Sequence, residues 1–198
     1  MKIIIISGPT GSGKTTLSKK ILNKFESGVL LSTDNYYKNG IISKFLSRFI
    51  ENYFDRKLSF NYKNFKNDFN FICKNRKSNH EYFYDFKNKN IKKYEHKKIN
   101  IKFLIVEGIF TNELLNNFNK ENFFFIELKT NKNSCLKRVI KRDVNERGKS
   151  KLVAKNDFLK SWSFYQSKNK FKNSKNKNKF IISKRSDLDL ALKKIFNL

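Results

Sequence analysis

The run Gly8-Pro9-Thr10-Gly11-Ser12-Gly13-Lys14-Thr15, followed by Thr16, has the spacing of a loop that wraps phosphates. Its glycines free backbone N–H groups to converge on an anion at a helix start, Lys14 can reach the β- and γ-phosphates, and Thr15 can offer a hydroxyl to Mg²⁺. Two carboxylates follow apolar runs further on, Asp34 after Val29-Leu30-Leu31-Ser32 and Glu107 after Phe103-Leu104-Ile105-Val106. Phosphoryl transfer needs this set: a cationic cradle, a metal bridging phosphate oxygens, and a carboxylate that orients or deprotonates the attacking group. Asp34 suits the base and Glu107 suits the metal. Three arginines, Arg138, Arg142 and Arg147, lie within ten residues of one another in a chain whose 44 basic residues include only seven arginines. Guanidinium forks there could close over a triphosphate and exclude water.

These groups must be held by strands and helices. Ile3-Ile4-Ile5-Ile6 reads as a parallel strand covered on both faces, and Leu17, Ile21, Leu22 and Phe25 give the next segment a helical spacing. Val29–Ser32, Phe103–Glu107, Phe123–Leu128 and Phe180–Ile182 supply four more short strands. The expected fold is α/β: a P-loop NTPase with a five-stranded parallel sheet, helices on both faces, and ligands at the strands' carboxyl ends. One domain over residues 1–198 is expected, with about 41–100 a small substrate-binding insertion of helices and a ribbon, and about 132–150 a lid. The lid helix is expected to pack through Leu136, Val139, Ile140 and Val144. A short helix is expected around Glu113-Leu114-Leu115, another over 156–168, a solvated stretch from Lys168 to Lys179, and a last helix capped by Ser186-Asp187.

The formal charge is +27, from 44 Lys and Arg against 17 Asp and Glu. Abundant Lys, Asn, Ile and Phe with a single Pro and seven Gly is a profile that A/T-rich codons produce, so most of the charge reflects codon usage. A specific nucleic-acid partner is not expected, although polyanions will be attracted at low salt. Cys73 and Cys135 are far apart without metal-ligand spacing and read as reduced thiols. The first apolar run is too short for a signal sequence, and nothing approaches the roughly 18 apolar residues of a membrane span. A cytoplasmic protein without a membrane partner is expected. His80 and His96 read as surface residues.

Beyond these local readings, the chain resembles the uridine kinase family of P-loop small-molecule kinases. Ser32-Thr33-Asp34-Asn35-Tyr36-Tyr37-Lys38 is similar to the family's D-x-F-Y segment, Phe54-Asp55 to its F-D-H-P segment, Tyr84-Asp85-Phe86 to its Y-D-F segment and Val106-Glu107-Gly108-Ile109 to its E-G-I strand end. Ile140-Lys141-Arg142-Asp143-Val144-Asn145-Glu146-Arg147-Gly148 matches the lid helix over nine residues. The resemblance implies ATP and Mg²⁺ as cofactors and phosphorylation of a nucleoside 5′-hydroxyl, uridine or cytidine foremost. Asp34, Lys14, Arg142 and Arg147 are then catalytic, Gly8 to Thr16 bind ATP, and Thr15 and Glu107 hold the metal. Asp34, Tyr37, Asp55, Tyr84 and Arg138 form the acceptor set. Homo-oligomers are common among such kinases, so one is compatible with the resemblance.

The departures fall on the acceptor side. Arg56-Lys57 replaces the family's His-Pro, and Asn88-Lys89-Asn90-Ile91 replaces T-H-S-R, which removes the histidine that meets the pyrimidine. Val139 and Lys149 stand where arginines are usual. The same chemistry on nicotinamide riboside, pantothenate or a sugar phosphate is therefore an alternative. A non-catalytic, nucleotide-binding, RNA-associated protein is a further one.

Overall fold

The computed structural model describes residues 1–50, 53–88, 90–109, 111, 123–169 and 178–197. The side chains of Lys44, Asp55, Lys168 and Asn169 lie outside the described set. The helix expected at Glu113-Leu114-Leu115 and most of the stretch expected between Lys168 and Lys179 also fall outside it.

The elements run β1 (Lys2–Ser7), α1 (Lys14–Lys24), β2 (Gly28–Ser32), α2 (Ile41–Phe49), α3 (Tyr62–Asn75), β3 (Ser78–Asp85), β4 (Asn90–Lys98), β5 (Phe103–Glu107), β6 (Phe123–Leu128), α4 (Lys132–Arg147), α5 (Lys151–Asn169), β7 (Lys179–Ile182) and α6 (Arg185–Phe196). Among the described residues five strands form one sheet in the order β2-β5-β1-β6-β7, and every pairing in it is parallel. The four isoleucines of β1 explain the architecture. Ile3 and Ile5 join Leu31, Val106, Phe65 and Phe69 on one face, while Ile4 and Ile6 join Leu17, Ile126 and Ile195 on the other. Strand side chains alternate between faces, so a continuous apolar strand requires cover on both sides. Here α3 covers one face and α1 and α6 the other.

Between β2 and β5 the chain leaves the sheet and builds a second layer of α2, turns at Tyr53–Asp55 and Lys57–Ser59, α3, which packs on one face of the sheet, and the antiparallel pair β3–β4. The bridge Tyr37↔Phe60, with the Lys38 N–H on the Ser59 carbonyl and the Asn61 N–H on the Tyr36 carbonyl, ties this layer to the segment after β2. Helix α2 turns Ile41, Ile42, Phe45 and Phe49 to solvent.

Several local expectations are corrected. Helix α4 buries Cys135, Val139 and Asp143, and Val144 is 39% exposed. The buried face thus passes through a carboxylate, and Ile140 and Val144 lie off its centre. Helix α5 starts at Lys151, five residues before the expected position, because the Ser150 hydroxyl accepts the Val153 N–H at 3.2 Å and the Ser150 carbonyl accepts the Ala154 N–H at 2.9 Å. Lys184, not Ser186, precedes α6, and Asp187 accepts the N–H groups of Ser183 and Lys184 at 2.9 and 3.0 Å. Both histidines are half-buried: His80 meets Asp68 at 3.3 Å across β3 and α3, and His96 meets Ser78 at 2.9 Å across the hairpin.

Candidate active site

The sheet register aligns the chemistry at one edge. Glu107 ends β5 with Ser32 of β2 and Ile6 of β1 as its neighbours. Its Oε1 accepts the Ser32 hydroxyl at 2.6 Å and the Thr15 hydroxyl at 3.2 Å. Burial, reinforced by the nearby charge of Asp34, holds its carboxyl above the usual glutamate range. Lys14, itself buried, has its ammonium pushed down by desolvation and partly restored by Glu107 and Asp34. Its Nζ donates to the Gly8 and Pro9 carbonyls, both at 3.0 Å, which parks the cation inside the loop.

The loop is pressed against the lid helix. A Cβ on Gly11 would lie 2.6 Å from the Cys135 carbonyl and 2.8 Å from Val139 Cγ2, so only glycine fits where φ is +76°. Arg138 reaches back with Nη1 3.4 Å from the carbonyls of Gly11 and Ser12. Thr10 lines the pocket, Ser12 is buried, and Thr15 and Thr16 lie exposed at the start of α1.

Asp34 sits in the short turn Thr33–Asn35 just beyond β2. One of its carboxylate oxygens, Oδ1, is buried with no hydrogen-bond partner, as are the hydroxyls of Thr33 and Ser12. Unsatisfied buried acceptors are uncommon in folded proteins, and at a cleft they point to a group that arrives later. Asp34 lines a cavity of about 340 Å³, within the range of small-molecule sites. Tyr37, Phe54 and Phe86 form its aromatic wall, and Arg142, Arg147, Lys149 and Asp157 face them from α4, α5 and their connection.

On that second wall, Asp143 gathers cations: Arg142 Nε and Nη2 at 2.8 Å, Arg147 Nη1 at 3.6 Å and Lys149 Nζ at 3.5 Å. Arg147 also stacks over Phe86 with its guanidinium carbon 3.7 Å from the ring centroid, joining lid to insertion. Tyr37 and Tyr84 are 3% and 2% exposed and meet edge to face at 5.0 Å, so Tyr84 supports the aromatic wall from behind. Burial pushes the Tyr84 hydroxyl up to about 12, which keeps it neutral. Asp85 serves the hairpin turn, accepting the N–H groups of Lys87 and Asn88 at 2.9 and 3.0 Å. Asp55 belongs to the turn that brings Phe54 to the wall, its side chain lying outside the described set.

Along the chain, residues 3–193 match the profile of the phosphoribulokinase/uridine kinase family. The chain belongs to that family. A uridine kinase from Clostridium botulinum (strain Okra) is 32% identical over 170 residues, covering 79% of this chain and 76% of that protein. One from Borrelia duttonii is 33% identical over 156 residues, covering 76% and 71%. The solved D-glycerate 3-kinase of Cryptococcus neoformans shares the fold with a TM-score of 0.61 at 11% identity, covering 92% of this chain and 86% of that one. As a member of this family the chain is a kinase, a phosphotransferase built on a P-loop α/β fold.

Three groups at the site have no role assigned from the sequence: Ser32 and Asp143, which lie inside quoted motifs, and Asp157. Ser32 could have been found as the residue that ends β2, level with Glu107. Asp143 lay in plain view between two arginines. Asp157 has no local signal. For a metal, hard oxygen donors are present in Thr15 and Glu107 with Asp34 close by. Among the described residues no group of three or more His, Cys, Asp or Glu forms a cage. Such a sparse set fits Mg²⁺, which keeps waters and substrate phosphates as its remaining ligands.

Proposed function

We propose that this chain is an ATP:nucleoside 5′-phosphotransferase that converts uridine or cytidine to UMP or CMP, a pyrimidine-salvage reaction. The observation that carries the reading is the buried, unpartnered oxygen of Asp34 between the phosphate loop and the aromatic wall. The uridine kinases among its relatives, at 32% and 33% identity, support the acceptor class.

In this reading ATP lies along Gly8 to Thr16, and Lys14 exchanges the Gly8 and Pro9 carbonyls for phosphate oxygens. Mg²⁺, held by Thr15 and Glu107, would neutralise charge on the phosphate oxygens. The acceptor's hydroxyl gives its proton to Asp34 as it attacks the γ-phosphorus. Arg142 and Arg147 stabilise charge on the transferring group, and Arg138, assigned to the acceptor by resemblance, braces the phosphate loop through the Gly11 and Ser12 carbonyls. Tyr37, with Phe54 and Phe86, provides a face for the base, Tyr84 backs that face, and Asp55 is assigned to the sugar by resemblance. Two free thiols, Cys73 and Cys135, suit a cytoplasmic setting.

A second reading keeps the chemistry and changes the alcohol. No histidine lines the pocket among the described residues, and its polar lining includes Lys149 paired with Asp157 at 2.8 Å. An acceptor panel with ATP decides between them, reading ADP release with uridine, cytidine, nicotinamide riboside, pantothenate and sugar phosphates. Uridine or cytidine is expected to raise the rate at least about tenfold over background, and Asp34→Asn to lower kcat by roughly 10²-fold or more with nucleotide binding retained. Stimulation by another alcohol alone would move the assignment to that acceptor.

A further inference from the structure

Asp143 is 2% exposed, lies on the lid side of the pocket, and has no part in the chemistry described so far. Its Oδ1 takes both Nε and Nη2 of Arg142 at 2.8 Å and lies 3.6 Å from Arg147 Nη1. Its Oδ2 lies 3.5 Å from Lys149 Nζ, and its backbone carbonyl accepts the Lys149 N–H at 3.1 Å. One buried carboxylate therefore contacts every cation on that wall.

Helix geometry shows why this matters. At 3.6 residues per turn, positions 142 and 147 project about 140° apart around α4, so the helix alone does not aim both guanidiniums at one place. Position 143 lies about 40° from 147 and about 100° from 142. The fork of Arg142 onto Asp143 folds that side chain back across the helix toward Arg147, and Phe86 holds Arg147 from the other side. Crowded cations also repel, and a carboxylate among them lowers the cost of bringing them together before any phosphate is present. Arg142, Asp143 and Arg147 line the same cavity as Asp34, so the two guanidiniums gather at the cavity that holds the carboxylate proposed as the base.

We propose that Asp143 is a positioning residue for phosphoryl transfer, converging Arg142 and Arg147 on the transferring group while competing with phosphate for their N–H donors in the resting enzyme. The inference rests on the reading that these arginines meet that group. Orientation and competition act in opposite directions, which yields a signature. Removing the charge weakens transition-state placement but frees donors for ground-state nucleotide.

The test compares Asp143→Asn and Asp143→Glu with the parent in kcat and in the Kd of ATP measured by direct binding. It repeats Asp143→Asn in an Arg142→Ala/Arg147→Ala background. Asp143→Asn is expected to lower kcat by about 10- to 100-fold with Kd unchanged or lower. In the arginine-deleted background the same change is expected to cost less than about twofold, because residues acting as a unit are non-additive. An equal loss in both backgrounds, or a parental kcat in Asp143→Asn, overturns the proposal. Should Asp143→Asn fail to fold, Asp143→Glu decides: a folded Glu variant with a shifted carboxylate is expected to lose kcat, and parental kcat in it refutes positioning. The arginine variant by itself tests the underlying reading, since full activity there removes the arginines from catalysis whatever Asp143 does.

Discussion

Glu107 is 1% exposed, and its proposed role at the metal asks for a charge there, which would set stability against activity at a single side chain. Its folded carboxyl holds a proton more tightly than that of the unfolded chain, mainly because burial disfavours the anion and Asp34 adds repulsion. The native state thus binds more protons than the unfolded state just above the unfolded value of about 4.3, and stability from this group is lost as pH rises through that window. Glutamine keeps an oxygen to accept the Ser32 hydroxyl without carrying the charge. Glu107→Gln is therefore expected to melt no lower than the parent at neutral pH in metal-free buffer, with the difference vanishing below about pH 4. Its kcat/KM at fixed Mg²⁺ is expected to fall by about 10²- to 10³-fold, and its Mg²⁺ dependence to weaken. Thermal melts across pH and a Mg²⁺ titration of the rate check both halves, and an unchanged Mg²⁺ dependence would remove Glu107 from the metal site.

At the level of elements, the junction after β5 fixes where Asp34 points. Gly108 has φ +129°, and a Cβ there would clash with the Thr33 hydroxyl, sit 3.1 Å from Thr33 Cβ and 3.3 Å from Asp34 Oδ1. Gly108→Ala forces either the β5 end or the Thr33–Asn35 turn to move, on top of the strain of a non-glycine residue at that φ. A loss of about 2–3 kcal/mol, seen as a melting temperature lower by roughly 5–10 °C, is expected. The kcat is expected to fall more than nucleotide affinity, since Asp34, the proposed base, moves and the phosphate loop does not; equal losses would count against that coupling. This junction was readable in outline from sequence, because a carboxylate and a glycine at a strand end are local signals. So were β1, the phosphate loop and the turn bearing Asp34. The face of the lid helix was legible in part: Leu136 and Val139 pack as expected, but Ile140 and Val144 lie off its centre, because hydropathy counts Asp143 as polar while its three cation partners let it be buried. The pocket wall was legible in part: the segments of Phe54 and Phe86 and the position of Lys149 stood out in the sequence, Asp157 did not, and only tertiary packing brings the four to one cavity.

The whole molecule carries a formal charge of +27, and its consequence for function depends on where the cations lie. If they serve nucleotide capture, they act as a field over the pocket, steering a tri- or tetra-anion without touching it. Such steering is screened once the Debye length falls below the distances involved, from about 10 Å at 0.1 M salt to about 3 Å at 1 M. The groups proposed to hold the phosphates, by contrast, are partly buried: Lys14 is 8% exposed and Arg147 has 18% of its side chain accessible. They are screened much less. Raising KCl from 0.1 to 1 M is therefore expected to lower kcat/KM for ATP several-fold through KM, while kcat stays within about twofold. A dedicated nucleic-acid partner predicts something far steeper, since neutralising six to ten phosphates costs about 10³- to 10⁵-fold in affinity between 50 and 200 mM salt from a tight starting point. Polarisation measurements with a random-sequence RNA beside the kinetic titration separate the two. Weak RNA binding that disappears by about 0.15 M salt is expected, because non-specific contacts lack base readout. Sub-micromolar binding that persists there, unaffected by ATP, would shift the role of the surface charge from substrate capture to nucleic acid.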